Sequence, residues 1–440
     1  MAGEWKDVSM QDIATKIAMG PFGSDIKTDN FVPSGVPIIR GGNLTSGRFH
    51  GEGFVYLTEE KADDLLNSNA FPGDIVFTHR GTLGQVGLVP ESPFKRYVVS
   101  QSQMKLSCDR KLADPVFIYY FFKSPGGQHA LLENTSQTGV PAISRPVTSL
   151  KAIRLSLPPL AEQKAIAAVL GALDDKIELN RRMNATLEAM ARALFQSWFV
   201  DFDPVRAKLD GRQPAGLDAA TAALFPKHLE ETALGHTPQG WEVRSLDKIA
   251  HYLNGLALQK YPSSDGSTLP VIKIAQLRKG DTAGADRCNT DLPPDYVVQD
   301  GDVLFSWSGS LEVELWCGGL GALNQHLFKV TSHEFPKWFY YLWTLYHLDE
   351  FRHIAAGKAT TMGHIQRGHL TAAKVLVPPR PLLVAMTRIM SPLIAQIITN
   401  RTQSCTLATL RDTLLPQLLS GELRVKSDLS INTKKGMAYG

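Results

Sequence analysis

The most regular hydrophobic pattern in the chain lies in residues 157–208. Through Ile166, Leu170, Leu173, Ile177, Asn180, Asn184, Leu187, Ala191, Leu194 and Trp198 the steps alternate strictly between four and three residues. That spacing is a heptad seam along one helix face. It predicts a helix over 160–199, on the order of 58 Å long at about 1.5 Å per residue, starting behind Pro158-Pro159. A shift of 220 residues finds the frame again, as Met386, Met390, Leu393, Ile397, Asn400, Ser404, Leu407, Arg411, Leu414 and Leu418 behind Pro378-Pro379. Both predicted helices exceed the ~10–14 residues usual in globular proteins, so each needs a long partner, and the other supplies it. Antiparallel pairing is the simplest arrangement for an internally repeated chain. Asn180 and Asn400, at matching seam positions, are the polar residues that fix register at some cost in stability.

Outside the seams the pattern changes to strands. VPIIR, GDIVF, GQVGLV and AIRLSL run apolar or alternate between Gly, Pro and Asn breakers, and PVFIYYFFKS reads as a buried helix on that sheet. The second half repeats them in order. VPIIRGGNL (36–44) answers LPVIKIAQL (269–277), and GDIVFTHRGTLG (73–84) answers GDVLFSWSGSLE (301–312). QSQMKL (101–106) answers QHLFKV (325–330), and TGVPAISR (138–145) answers TTMGHIQR (360–367). Such colinear self-similarity defines the architecture before anything else does. The expected fold class is α+β: two pseudo-repeated α+β domains separated by two long helices forming an antiparallel coiled coil, with pseudo-two-fold symmetry. The expected divisions are a first domain 1–157, a central region 158–238 (helix 160–199 plus an Ala/Gly/Pro-rich connector), a second domain 239–377, a C-terminal helical region 378–426 and a polar tail 427–440.

Composition narrows the function classes. Hydrophobic content of 43% and charged content of 20% fit a globular protein. No uninterrupted apolar run of ~18 residues occurs and the first residues hold no apolar signal segment, so no membrane is expected and a cytoplasmic location is. Four cysteines, far apart and without a CxxC pair, fit a reducing compartment and no metal site. Residues 1–157 carry 16 basic against 15 acidic side chains, and residues 239–377 carry 13 against 14. No blanket basic excess announces nucleic acid, so any DNA contact must come from local patches.

The sequence offers few catalytic signatures. It has neither a phosphate-cradling GxxxxGK[ST] loop nor a GxGxxG behind a strand. His364 and His369 lack a third ligand nearby. DLPPDY (291–296) approximates the Asp-Pro-Pro-Tyr loop of amino-methyltransferases, but Leu292 and Asp295 interrupt it, so a turn is expected. Two similar domains held apart by a spacer suit double-stranded DNA with two half-sites, which two-fold arrangements read about 34–36 Å apart. The residue types that contact base edges and phosphates are, in the first domain, Arg40, Asn43, His79, Arg80, Gln137, Thr138 and Arg145. In the second they are Lys273, Gln276, Arg278, Ser306, Trp307, Lys358, Thr360, His364 and Arg367.

The stretch LPPLAEQKAIAAVLGALDDKIELNRRMNATLEAMARALFQSWFVDFDPVRAK (157–208) is similar to the central conserved region of the specificity subunits of type I restriction-modification enzymes. GDIVFTHRGTLG and TGVPAISR resemble the framework of their target-recognition domains. The resemblance implies that each α+β domain reads one half of a bipartite DNA target and that the paired helices set the spacer. It implies docking of two methyltransferase (modification) subunits, with restriction subunits joining through them. The chain itself would be non-catalytic and hold no cofactor; S-adenosylmethionine, ATP and magnesium would sit on the partners. WFVDFDPVRAK (198–208) has no close copy in the second half, so Trp198, Phe199, Phe202 and Asp203 are expected to grip a partner, to cap the rod of paired helices, or to pack on the adjacent domain. Two other readings stand beside this one: a DNA adenine methyltransferase using DLPPDY, and a coiled-coil interaction scaffold.

Overall fold

The computed structural model describes residues 4–23, 25–44, 49, 53–136, 139–263, 266–357 and 363–425. Gln137, Thr138, Lys358, Thr360 and the tail 427–440 lie outside the described residues. The chain forms two compact units, Met1–Asp175 with Ala408–Gly440 and Lys176–Leu407. This division cuts both long helices, so neither unit coincides with a sequence segment: each α+β body folds together with one stretch of both helices.

In unit 1 the strands are β1 (Lys6–Ser9), β2 (Ala14–Met19), β3 (Val36–Ile39), β4 (Val55–Leu57), β5 (Asn69–Ala70), β6 (Ile75–Thr78), β7 (Val86–Leu88), β8 (Tyr97–Val99), β9 (Gln103–Cys108), β10 (Thr135–Ser136), β11 (Ala142–Ile143) and β12 (Arg154–Leu157). They build one sheet in the order β2-β9-β6-β7 and a second in the order β4-β3-β8-β5, with β1 closing on β12 and β10 on β11. Within the second sheet, β3 and β8 run parallel, Ile38 opposite Val98. The helix Pro115–Lys123 covers the first sheet, burying Phe117, Ile118, Tyr119, Tyr120 and Phe122; the Asp114 carboxylate caps it by accepting from the N–H groups of Val116 and Phe117.

Unit 2 opens with a hairpin, β13 (Leu229–Thr232) and β14 (Gly235–Pro238). It continues with β15 (Glu242–Ser245), β16 (His251–Asn254), β17 (Thr268–Ile272), β18 (Arg287–Asn289), β19 (Val297–Val298), β20 (Val303–Ser306), β21 (Val313–Leu315), β22 (Gly321–Leu323), β23 (Leu327–Thr331) and β24 (Lys374–Val377). The topology of unit 1 returns: sheets β16-β23-β20-β21 and β18-β17-β22-β19, and β15 closing on β24. β17 and β22 are again the parallel pair. The stretch 209–238 is more than a connector. Asp218 caps a helix at Ala219–Leu224, Phe225 enters the unit 2 core, and the hairpin turns through Gly235 at φ 87°.

The long helices span Leu160–Phe199 and Arg380–Ser420. β12 ends at Leu157 and β24 at Val377, in each case directly before the Pro-Pro pair; a residue preceding proline avoids the helical region. The second proline's carbonyl then accepts the first helical N–H groups, Pro159 from Glu162 and Gln163, Pro379 from Leu383. Within unit 1 the helices run antiparallel: Glu162 accepts from Arg424 at 3.0 Å and Asp174 from Arg411 at 2.7 Å. Arg411, the apparent break in the second seam, is thus an ion-pair donor to a buried carboxylate that also accepts from Tyr120 at 2.6 Å. Within unit 2 the Asn180 amide donates to the Asn400 carbonyl (3.3 Å), Gln403 (2.9 Å) and Ser404 (3.2 Å). Asn400 in turn donates to Asn184 at 2.9 Å.

No seam position of either helix is exposed. The second helix continues through Pro392 and Pro416, both exposed. It is long and apolar enough to cross a membrane by length and composition alone, and its apolar face supplies Leu382, Met386, Met390 and Ile397 to the unit 2 core.

The two junctions differ inside. At the first, Gln163 is fully buried: its carbonyl accepts from the Asp114 N–H (2.8 Å) and its amide donates to the carbonyls of Pro158 (2.8 Å) and Leu112 (3.1 Å). At the second, Leu382 and Leu383 are buried among aromatic side chains instead.

Candidate nucleic-acid interface

In unit 1 the ends of β3 and β6 and the turn between β8 and β9 converge on a cleft of about 510 Å³. Arg40, Arg80, Thr82, Gln85 and Gln101 are among its lining residues. Arg40 is exposed directly after β3 and donates to the Gly53 carbonyl at 3.0 Å. Arg80 is exposed one residue past His79, and a bridge between Arg80 and Ala142 brings the loop 139–145 alongside. That loop ends on Arg145, exposed and in the left-handed region at φ 47°, a conformation a non-glycine residue adopts only when its surroundings impose it. The first repeat has two more residues here than the second. The left-handed Arg145 coincides with that difference, since Arg367 is simply the first residue of its helix.

Several sequence candidates are committed internally. Asn43 is buried, and its side chain accepts from the Arg40 N–H at 2.9 Å; Gln276 does the same for Lys273 at 3.3 Å. Ser306 is fully buried, donating to the Ser310 carbonyl at 2.6 Å and accepting from Glu312 at 2.7 Å. His79 is buried with Nε2 at 3.0 Å from the Gln101 carbonyl. Burial lowers its pKa below the ordinary histidine value, more than its hydrogen bonds to Gln101 and within its own residue raise it. The half-buried Trp307 donates from Nε1 to Asn254 at 2.8 Å and to the Gln325 carbonyl at 3.2 Å. These five support the face rather than present it.

Among the sequence candidates, the cations at the surface of unit 2 are the partly exposed Lys273, ion-paired with Asp286, and the exposed Arg278 and Arg367. Arg367 donates to the Tyr252 carbonyl at 3.3 Å, with its guanidinium over the Phe328 ring. His364 stands edge-on to Trp307 at 6.3 Å. Sequence reasoning missed His326, whose Nδ1 lies 2.9 Å from the Ser308 hydroxyl, and it missed Gln101 and Gln325. The last two had a signal: both open the matched strings QSQMKL and QHLFKV.

For Trp198, Phe199 and Phe202 the expectation of packing on the adjacent domain holds, and that of gripping a partner does not. Trp198, Phe199 and Phe202 are 2%, 2% and 8% exposed. Phe199 packs against Trp241, Trp338, Phe339 and Trp343, all in unit 2. Burying that much aromatic surface in the unit's own core outweighs leaving it for a partner; only Asp203 remains exposed. DLPPDY forms a surface turn ending in a short helical turn at Pro294–Tyr296, with Asp291 and Asp295 exposed. Among the described residues no group of three or more His, Cys, Asp or Glu side chains could hold a metal ion.

Comparison with known proteins agrees with this architecture. A family profile described as type I restriction modification DNA specificity domain matches residues 2–189 and 238–407. The specificity subunit of the type I restriction enzyme MjaIX from Methanocaldococcus jannaschii is 26% identical over 377 residues, covering 83% of this chain and 82% of its own. That of HindI from Haemophilus influenzae is 23% identical over 485 aligned positions, covering 96% of this chain and 100% of its own. The crystal structure of a type I restriction-modification S subunit from M. genitalium has the same fold, with a TM-score of 0.53 at 16% identity, covering 94% of this chain and 96% of that one. None of these supports a methyltransferase or a bare scaffold. Because the profile takes in well over half of the sequence, once in each repeat, the chain belongs to the type I restriction-modification DNA specificity family, as a non-catalytic specificity subunit.

Proposed function

We propose that each unit reads one part of a bipartite double-stranded DNA target, and that the paired helices set the unread spacer between the parts. The observation that carries this reading is the repetition of one topology in both units, with a cation directly after the matched strands β3 and β17, Arg40 and Lys273, and an arginine at each matched helix start, Arg145 and Arg367; Arg80 and Arg278 add one further exposed arginine to each unit at places that do not correspond. Phosphate contacts from such residues position a duplex, and contacts to base edges specify it. Asn180, Asn184 and Asn400 hold the register on which a fixed spacer depends.

The same reading has the outer helix faces dock two methyltransferase subunits, with restriction subunits joining through them. S-adenosylmethionine, ATP and magnesium belong to those partners, and the complex works in the cytoplasm. The test is a four-residue deletion around Ala185, which breaks the heptad frame. In the assembled complex it should change the preferred spacer or abolish assembly. An unchanged spacer with intact binding would sink the ruler.

A further inference from the structure

Both units contain the same tight turn, carrying the same residue at the same place. Ser100–Gln103 joins β8 to β9, and Asn324–Leu327 joins β22 to β23. In each, the fourth residue's N–H donates to the first residue's carbonyl at 2.9 Å, from Gln103 to Ser100 and from Leu327 to Asn324. Glutamine holds the second position in both, as Gln101 and Gln325.

Each turn is held from two sides. His79, just past β6, donates from its backbone N–H to Ser102 at 2.9 Å and from its ring to the Gln101 carbonyl at 3.0 Å. Trp307, just past β20, makes the equivalent bonds, to His326 at 3.3 Å and to Gln325 at 3.2 Å. The two rings share little except an N–H aimed at that carbonyl. From the other side Gly20 and Gly255 pass so close that a Cβ would fall 1.9 Å from the Ser100 carbonyl oxygen and 2.2 Å from that of Asn324. Their N–H groups donate to the carbonyls of Gln103 and Leu327 at 2.8 and 3.0 Å. Only glycine fits such an approach. Gln101 is exposed on the wall of the cleft that Arg40 and Arg80 share; Gln325 is half-buried beside His326.

We propose that Gln101 and Gln325 are equivalent base-reading residues, each taking an adenine in the major groove, and that His79 and Trp307 are the residues that position them. This rests on the reading of both units as DNA readers. A carboxamide offers an acceptor and a donor side by side, complementary to the N6 amino group and N7 of adenine. Mounting it on a turn fixed by backbone and ring hydrogen bonds lowers the ordering cost of the contact. A residue common to two otherwise different readers suits a base common to both parts of the target.

The test uses the full-length chain assembled with its methyltransferase subunits to select duplexes from a random-sequence pool. Wild type should return a two-part consensus. Q101A should relax the preference at one A·T pair of one part by roughly 5- to 150-fold, and Q325A should do so at one A·T pair of the other. His79→Phe should relax the same position as Q101A and no other, which a merely structural role would not do. Pools identical to wild type, relaxation at a G·C pair, or uniform weakening across a half-site would overturn the assignment. A wild-type pool without any consensus would refute the DNA-reading function itself.

Discussion

Replacing Gln163 by leucine, the residue at the same place in the second repeat, separates two accounts of the first Pro-Pro junction. If burial alone matters, Gln163→Leu should be neutral or stabilising, because Leu383 occupies the equivalent buried site. The hydrogen bonds argue otherwise. The Gln163 side chain serves the Asp114 N–H and the carbonyls of Leu112 and Pro158. Stranding the N–H costs about 1–3 kcal/mol, and each lost bond to a carbonyl about 1 kcal/mol. Leucine recovers on the order of 1 kcal/mol through added apolar burial. The expected loss is therefore about 3 kcal/mol, confined to unit 1. Hydrogen exchange read by mass spectrometry resolves it: backbone amides of 115–123 and 163–170 should exchange roughly 100-fold faster through local opening, with those of unit 2 unchanged. The reciprocal Leu383→Gln should open unit 2 instead, since it puts an amide into the apolar core that holds Leu383. Exchange at or below the wild-type rate in Q163L would refute the argument.

Phe199→Ala removes an aromatic ring from among Trp241, Trp338, Phe339 and Trp343 and should cost about 3–5 kcal/mol. Tryptophan fluorescence during urea unfolding follows it, because six of the seven tryptophans lie in unit 2; a midpoint shift no larger than that of an exposed-site control would contradict the burial. Arg411→Ala leaves the buried Asp174 carboxylate with Tyr120 as its hydrogen-bond partner. It should destabilise unit 1 by about 2–3 kcal/mol, discounted for the guanidinium's partial exposure, and a double-mutant cycle with Asp174→Asn should show clear coupling, additivity being the adverse result. Burial lowers the His79 pKa from 6.5, so below that value the unfolded chain binds more protons than the folded one. Unit 1 then loses stability as pH falls through about 6.5 and keeps it above; His79→Asn should flatten this dependence, and identical profiles would exclude it.

The sequence by itself determined the elements and their repetition. A 4,3 step pattern can be satisfied only by a helix with one buried face, and a period so long needs an equally long partner, so both long helices and their pairing were legible from Ile166 to Trp198 and from Met386 to Leu418. Proline chemistry marked where β12 and β24 stop. The colinear matches told that the two α+β bodies share a topology, because the matched strings carry the same kinds of element in the same order. Only the tertiary structure decided which side chains of those strings face outward. Asn43, Gln276 and Ser306 have the composition of base readers, yet backbone N–H and carbonyl groups a few residues away claim them. Trp198, Phe199 and Phe202 stood in an unmatched stretch with two readings open, and the tertiary structure made them core, because aromatic clustering depends on residues some 40 to 145 positions further on. Gln101 and Gln325 were in plain view as letters. Their shared place on a pinned turn emerged only when Gly20, His79 and their counterparts were brought in from distant strands, since a polar side chain's role is set by the hydrogen bonds its neighbours in space leave open, and sequence order does not list those neighbours.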